Sequence, residues 1–103
     1  MKTKLTPIHP GEILLEDFLQ PLGISQNRLA IAIGVDIARV NNIIKGRRVI
    51  TPDTALRLGC YLNTGPEVWL NLQQEYDLRI ARKRLAKQLK RIEPVRPIET
   101  VSA

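Results

Sequence analysis

Arg39 and Asn42 stand three positions apart in the stretch DIARVNN, with Ile37 and Ala38 just ahead of them. These side chains match what the floor of the DNA major groove presents. A guanidinium can bridge guanine O6 and N7, and a carboxamide can bridge adenine N6 and N7, each pair giving about 1–3 kcal/mol of discrimination. Ile37 or Ala38 could meet a thymine methyl. The turn that follows, KGRRVI, supplies Lys45, Arg47 and Arg48, and Gln26 stands earlier, near a helix start. Those four side chains suit phosphate oxygens, whose contacts give affinity and register but carry no sequence information.

Such chemistry works only if one short helix is held out from the body by another. Residues 23–46, GISQNRLAIAIGVDIARVNNIIKG, contain two short helical patterns separated by a glycine. Ser25 suits the N-cap of the first pattern, in which Leu29, Ala32 and Ile33 face inward, and Gly34 ends it. Asp36 suits the cap of the second, with Val40, Ile43 and Ile44 inward and Gly46 closing it. Ala30 is small where two helices must approach, and Gly34 can take the positive φ that a tight turn demands. The plainer reading is a pair of capped helices in a small bundle, with a solvated polar face.

Three further helices are expected, and no strand. The first runs from about Pro10 to Gln20, with Leu14, Leu15, Phe18, Leu19 and Leu22 as its apolar face and Pro21 and Gly23 ending it. The fourth opens on Thr51, Pro52 and Asp53 and turns Ala55, Leu56, Leu58, Gly59 and Leu62 to the core, Gly59 allowing a close helix crossing. The fifth runs from about Pro66 towards Arg91. Trp69, Leu72, Tyr76 and Ile80 are spaced to dock it onto the body, and Leu78, Ala81, Leu85, Leu89 and Ile92 continue a narrower seam. The residues after it, EPVRPIETVSA, read as a loose tail.

A chain of 103 residues fits one domain with a modest core. Its net charge of +6 is unevenly placed: residues 79–91 hold seven basic residues and no acid, leaving −1 for the remainder. That segment suits phosphate contact, a partner protein or a solvated helical face. One cysteine and one histidine supply neither a disulfide, nor a metal cluster, nor a nucleophile–base–orienter set. No enzyme activity, cofactor or metal is expected. Cys60 reads as a small buried residue, and His9 as a cap or an exposed residue. The single Trp and two Tyr suit packing better than base stacking. Neither a membrane-spanning run nor a signal peptide is present, so a cytoplasmic protein is expected.

The segments HPGEILLEDFLQPLGISQNRLAIAIGV and IIKGRRVITPDTALRLGCYLNTGPEVWLNLQQEYDL resemble the HigA-type antitoxins, also labelled VapI, within the Xre-like helix–turn–helix proteins. The resemblance covers about Ile8 to Ala81. It implies an all-α, five-helix, lambda-repressor-like fold, with a DNA-binding domain expected over residues 1–81; the basic helical extension and loose tail over 82–103 lie beyond it and carry no inherited role. It also implies a homodimer, double-stranded operator DNA as a partner, repression of the antitoxin's own operon, and neutralisation of a HigB-like mRNA endonuclease toxin. Matched to the family's motif, the base-reading positions are Ile37, Ala38, Arg39 and Asn42. The fifth-helix seam, with Trp69, Leu72 and Tyr76 near its start, is the expected subunit interface. The alternatives are a stand-alone Xre-type regulator with no toxin partner, and a toxin-binding module that no longer reads DNA.

Overall fold

Ser25, Asp36 and Thr51 each adopt extended backbone immediately before a helix, and Ser25 and Thr51 cap it through their hydroxyls. A computed structural model describes residues 7–95 of the chain. Helix α1 spans residues 10–22 and is continuous through Pro10–Ile13, a π-helical Leu14–Leu19, and Gln20–Leu22. Then follow α2 (Gln26–Ile33), α3 (Ile37–Ile44), α4 (Pro52–Tyr61), α5 (Glu67–Arg84) and the short α6 (Ala86–Lys90). The described residues contain no strand. The all-helical, lambda-repressor-like architecture read from the sequence is the one observed.

One core joins α1 to α5. Leu14 and Leu19 of α1, Leu29, Ala30 and Ile33 of α2, and Val40 and Ile43 of α3 meet Ile50, Ala55, Leu58 and Trp69. Each fully buried Leu or Ile contributes about 1.5–3 kcal/mol. Trp69 lies at 0% exposure, donates its indole N–H to Thr64 Oγ1 at 2.9 Å and packs against Phe18. A buried indole without such an acceptor would leave its N–H unsatisfied.

Several expectations are corrected by this packing. Pro21 does not stop α1. Gln20 N–H reaches back five residues to the Leu15 carbonyl, and the widened turn relieves the crowding that a proline ring causes in an α-helix. Leu22 is exposed as the last residue of α1, beside Gly23, and Leu56 because it lies off the Ala55–Leu58 stripe that meets the core. Ile80, spaced to dock α5 onto the body, is exposed too, since that helix has already run past the core. Ala32 and Cys60 are also exposed, on the sides of α2 and α4 that turn away from it. Gly59 packs against the backbone of the 65–66 loop, not a crossing helix. The fifth helix is interrupted at Leu85, with φ −100° and ψ 9°, inside the run of cations. Residues 96–103, most of the expected tail, lie outside the described residues.

Candidate nucleic-acid interface

The turn between α2 and α3 is fixed by its backbone. Gly34 takes φ 74°, and its N–H together with that of Val35 closes the end of α2 on the carbonyls of Ile31 and Ala30. The chain then enters α3 through Asp36. Asp36 makes no side-chain capping bond, contrary to the cap expected of it; its backbone carbonyl accepts the Arg39 N–H at 3.0 Å.

Val40 and Ile43 bury one side of α3, so the opposite side faces outward. At its far end the helix rests on the start of α1 so closely that a Cβ on Gly11 would lie 1.9 Å from the Ile43 carbonyl oxygen. Ile37 and Ala38 are exposed, and Arg39, Asn41 and Asn42 are half-buried. The structure therefore brings Ile37, Ala38, Arg39 and Asn42 onto one short helix with solvent access.

Arg39 is not loose on that surface. Its Nη1 donates to Asp53 Oδ1 at 3.1 Å and to Thr54 Oγ1 at 3.4 Å, at the start of α4. Asp53 Oδ1 also accepts from Arg57 Nε at 2.7 Å, and Arg57 Nη1 donates to the Ile33 carbonyl at 2.7 Å. A chain of charge-assisted bonds thus runs from the end of α2, through α4, to the guanidinium of α3. The hydrogen bonds from Arg57 first, and from Arg39 second, hold the Asp53 carboxyl below its usual range. With Nη1 engaged, Arg39 keeps Nε and Nη2 as donors.

The phosphate candidates divide into two groups. Gln26 Oε1 accepts from Asn41 Nδ2 at 3.0 Å, which fixes the amide and leaves its NH₂ as the group to offer an anion. Lys45, Arg47 and Arg48 are exposed in the turn after α3. That turn is anchored by Gln73, a buried polar side chain of α5. Gln73 Oε1 accepts the Ile50 N–H at 2.8 Å, and its Nε2 donates to Asp77 Oδ1 at 3.1 Å.

His9 secures the other side of the same turn. Its Nδ1 accepts the Gly11 N–H at 2.9 Å, so it caps α1 as expected. Its ring lies edge-on to Tyr76, with centroids 4.9 Å apart, and beside Gly46. Burial holds its pKa below the usual histidine value, against the opposing pull of Asp77 and Glu12.

Of the residues expected at a subunit contact, Leu72 and Tyr76 are half-buried. Trp69 is corrected: wholly enclosed by its own domain, it has no surface left for a second subunit. Sequence reasoning does not reach Gln73, Asn41 or the Asp53–Arg57 link as positioning groups. The i, i+4 spacing of Asp53 and Arg57 is legible, but the carbonyl that Arg57 reaches is not.

The helix-turn-helix family matches residues 15–69. Over 80 residues the chain is 48% identical to virulence-associated protein I of Dichelobacter nodosus, covering 78% of this chain and 74% of that protein. It is 40% identical over 94 residues to antitoxin HigA-1 of Vibrio cholerae serotype O1, covering 91% and 89%. Among solved structures, the Pseudomonas aeruginosa antitoxin HigA with higBA promoter superposes with a TM-score of 0.82 at 46% identity, covering 86% of this chain and 98% of that one.

Proposed function

The chain belongs to the HigA-type antitoxin family of Xre-like helix–turn–helix proteins, and from that premise we propose that it is a homodimeric, operator-binding antitoxin that represses its own operon. The observation that carries the reading is the outward face of α3, with its one guanidinium held in place by Asp53 and exposed cations in the turn behind it. A solved relative of the same fold is described with promoter DNA, and 86% of this chain superposes on it. In this reading α3 lies in the major groove. Ile37, Ala38, Arg39 and Asn42 meet base edges, while Gln26, Lys45, Arg47 and Arg48 hold phosphates. Two such helices about 34 Å apart read the halves of a pseudo-palindrome, with the seam of α5 beyond Trp69, including Leu72 and Tyr76, contributing to the subunit contact.

The second function is neutralisation of a HigB-like toxin in the cytoplasm, supported by the antitoxin relative that spans nearly the whole chain. A stand-alone regulator is the competing reading. It is favoured by a relative described as an HTH-type transcriptional regulator, from Haemophilus influenzae, at 40% identity over 72 residues.

Co-purification from the native operon separates the two. A small basic protein encoded next to this gene, retained on it through purification, supports the antitoxin; a neighbouring frame whose product does not bind it supports the regulator. Mobility shift with DNA from upstream of the gene tests repression, and sedimentation at micromolar concentration tests the dimer. A monomer, or no shift, overturns the corresponding part.

A further inference from the structure

The seven cations of residues 79–91 are divided between α5, α6 and the residue that follows. In α5, Arg79 and Lys83 stand four residues apart on the side of Tyr76, with Leu78 and Ala81 opposite; Lys87 and Lys90 follow on α6, beyond the interruption at Leu85. Arg79 pairs with Glu75 at 3.1 Å. Arg82, Lys83, Arg84, Lys87, Lys90 and Arg91 are exposed and make no ion pair among the described residues. Like charges one helical turn apart weaken the helix that bears them. A solvated face gains from alternating signs, whereas this one accumulates repulsion that an opposing polyanion relieves.

Its placement says which polyanion. Helix α5 is tied to the basic turn twice: Ile50 donates to Gln73, and the His9 ring lies between Gly46 and Tyr76. Lys45, Arg47 and Arg48 flank these ties. The cations begin at Arg79, one helical turn past Tyr76, and run on through α5 and α6 beyond these ties. From Tyr76 to Arg84, the last residue of α5, a rise of about 1.5 Å per residue gives a reach of roughly 12 Å, which α6 extends. Duplex DNA carries a charge about every 1.7 Å along its axis, so this length faces many phosphates.

We infer that residues 79–91 form a second, sequence-independent phosphate-binding surface that grips duplex DNA outside the bases read by α3. The inference rests on the operator-binding reading above. On this account the extension raises affinity and lengthens the DNA footprint without altering which sequence is preferred.

The test uses the full-length protein carrying Lys83→Gln, Arg84→Gln, Lys87→Gln and Lys90→Gln together, since glutamine keeps the helix propensity while removing the charge. The probe is a random-sequence duplex of about 40 base pairs, roughly four helical turns. Binding is followed by fluorescence anisotropy across a salt series. The slope of log K against log salt should flatten by about 0.9 for each phosphate no longer neutralised, about 3.6 if each of the four cations neutralises one. The melting temperature should not fall, and a variant with Lys83, Lys87 and Lys90 changed to Arg should keep the wild-type slope.

An unchanged slope in the Gln variant overturns the inference and leaves the operator reading standing. Failure of the wild type to bind any duplex, including DNA upstream of its own gene, overturns that reading and this inference with it. Tight binding of poly-glutamate together with an unchanged duplex slope also overturns it, and reassigns the surface to an acidic protein partner.

Discussion

Arg39 on the proposed recognition helix is held by Asp53 on the following helix, with Nη1 3.1 Å from Oδ1. The same oxygen receives Arg57 Nε at 2.7 Å, and Arg57 in turn grips the end of α2. Both partners of the Arg39–Asp53 pair retain solvent exposure, so the pair contributes little to folding. Its physical effect is orientational: it fixes the plane of a guanidinium that, in the proposed reading, meets two acceptors at once.

Asp53→Asn should therefore leave the fold intact and loosen the guanidinium. Operator binding should lose selectivity over random duplex, while affinity for random duplex at low salt rises as a negative charge is removed. Arg39→Ala should cost about 1–3 kcal/mol of discrimination at one base pair per half-site. Competition titrations with substituted operators measure both. An Asp53→Asn variant that keeps the wild-type operator-to-random ratio would show that the pair does not position Arg39 for reading.

His9 makes stability depend on pH. Its Nδ1 accepts the Gly11 N–H only as the neutral imidazole, and burial lowers its pKa from 6.5 despite Asp77 and Glu12 nearby. Between the lowered folded value and 6.5 the unfolded chain binds more protons. Stability is thus fully present above 6.5, falls as pH drops through that window, and levels off below the folded value. His9→Asn keeps a capping acceptor that does not titrate, so its unfolding free energy should stay flat between about pH 7.5 and 5.5, where the wild type declines. Parallel slopes for the two proteins would mean that another group carries the dependence.

The elements and their caps are legible in the sequence because they rest on local chemistry. Ser25 and Thr51 bond the amides three residues ahead, and the apolar stripes of α2 and α3 follow helical spacing. The same spacing puts Trp69 both in the core and at an interface, since it marks a buried face without saying whose atoms bury it. It also puts Leu56 and Cys60 inside, because α4 is apolar on more than one side. The links that aim the α3 face are illegible for a different reason. Asp53 to Arg39, Gln73 to Ile50 and Arg57 to Ile33 span 14, 23 and 24 residues, and no local pattern encodes such partners.

Gln73→Leu should be strongly destabilising although it places an apolar residue in a buried site. The substitution strands the Ile50 N–H, and an unsatisfied buried donor costs about 1–3 kcal/mol. It also releases the turn bearing Lys45, Arg47 and Arg48, so DNA affinity should fall further than the lost stability explains. Urea unfolding and anisotropy on the still-folded fraction separate the two effects. A variant as stable as wild type would mean that water or another acceptor satisfies Ile50.

Gly11→Ala should disturb the proposed recognition helix from a distance in sequence. The added Cβ would lie 1.9 Å from Ile43 O, 2.7 Å from Ile43 C and 2.8 Å from Ile44 Cα, all backbone atoms that no rotamer change can clear. The start of α1 and the end of α3 must therefore separate, at about 1–3 kcal/mol or more for overpacking. Gly34→Ala makes the informative contrast. There the Cβ meets only the flexible end of Arg57 at 3.3 Å, and the penalty is the about 1–2 kcal/mol of left-handed backbone strain. At a temperature where both variants remain folded, Gly11→Ala should lose operator affinity by the larger factor, because it moves the whole helix that carries Arg39 and Asn42. Equal operator affinity for Gly11→Ala and wild type, at equal melting temperature, would refute the claim that this glycine contact sets the position of α3.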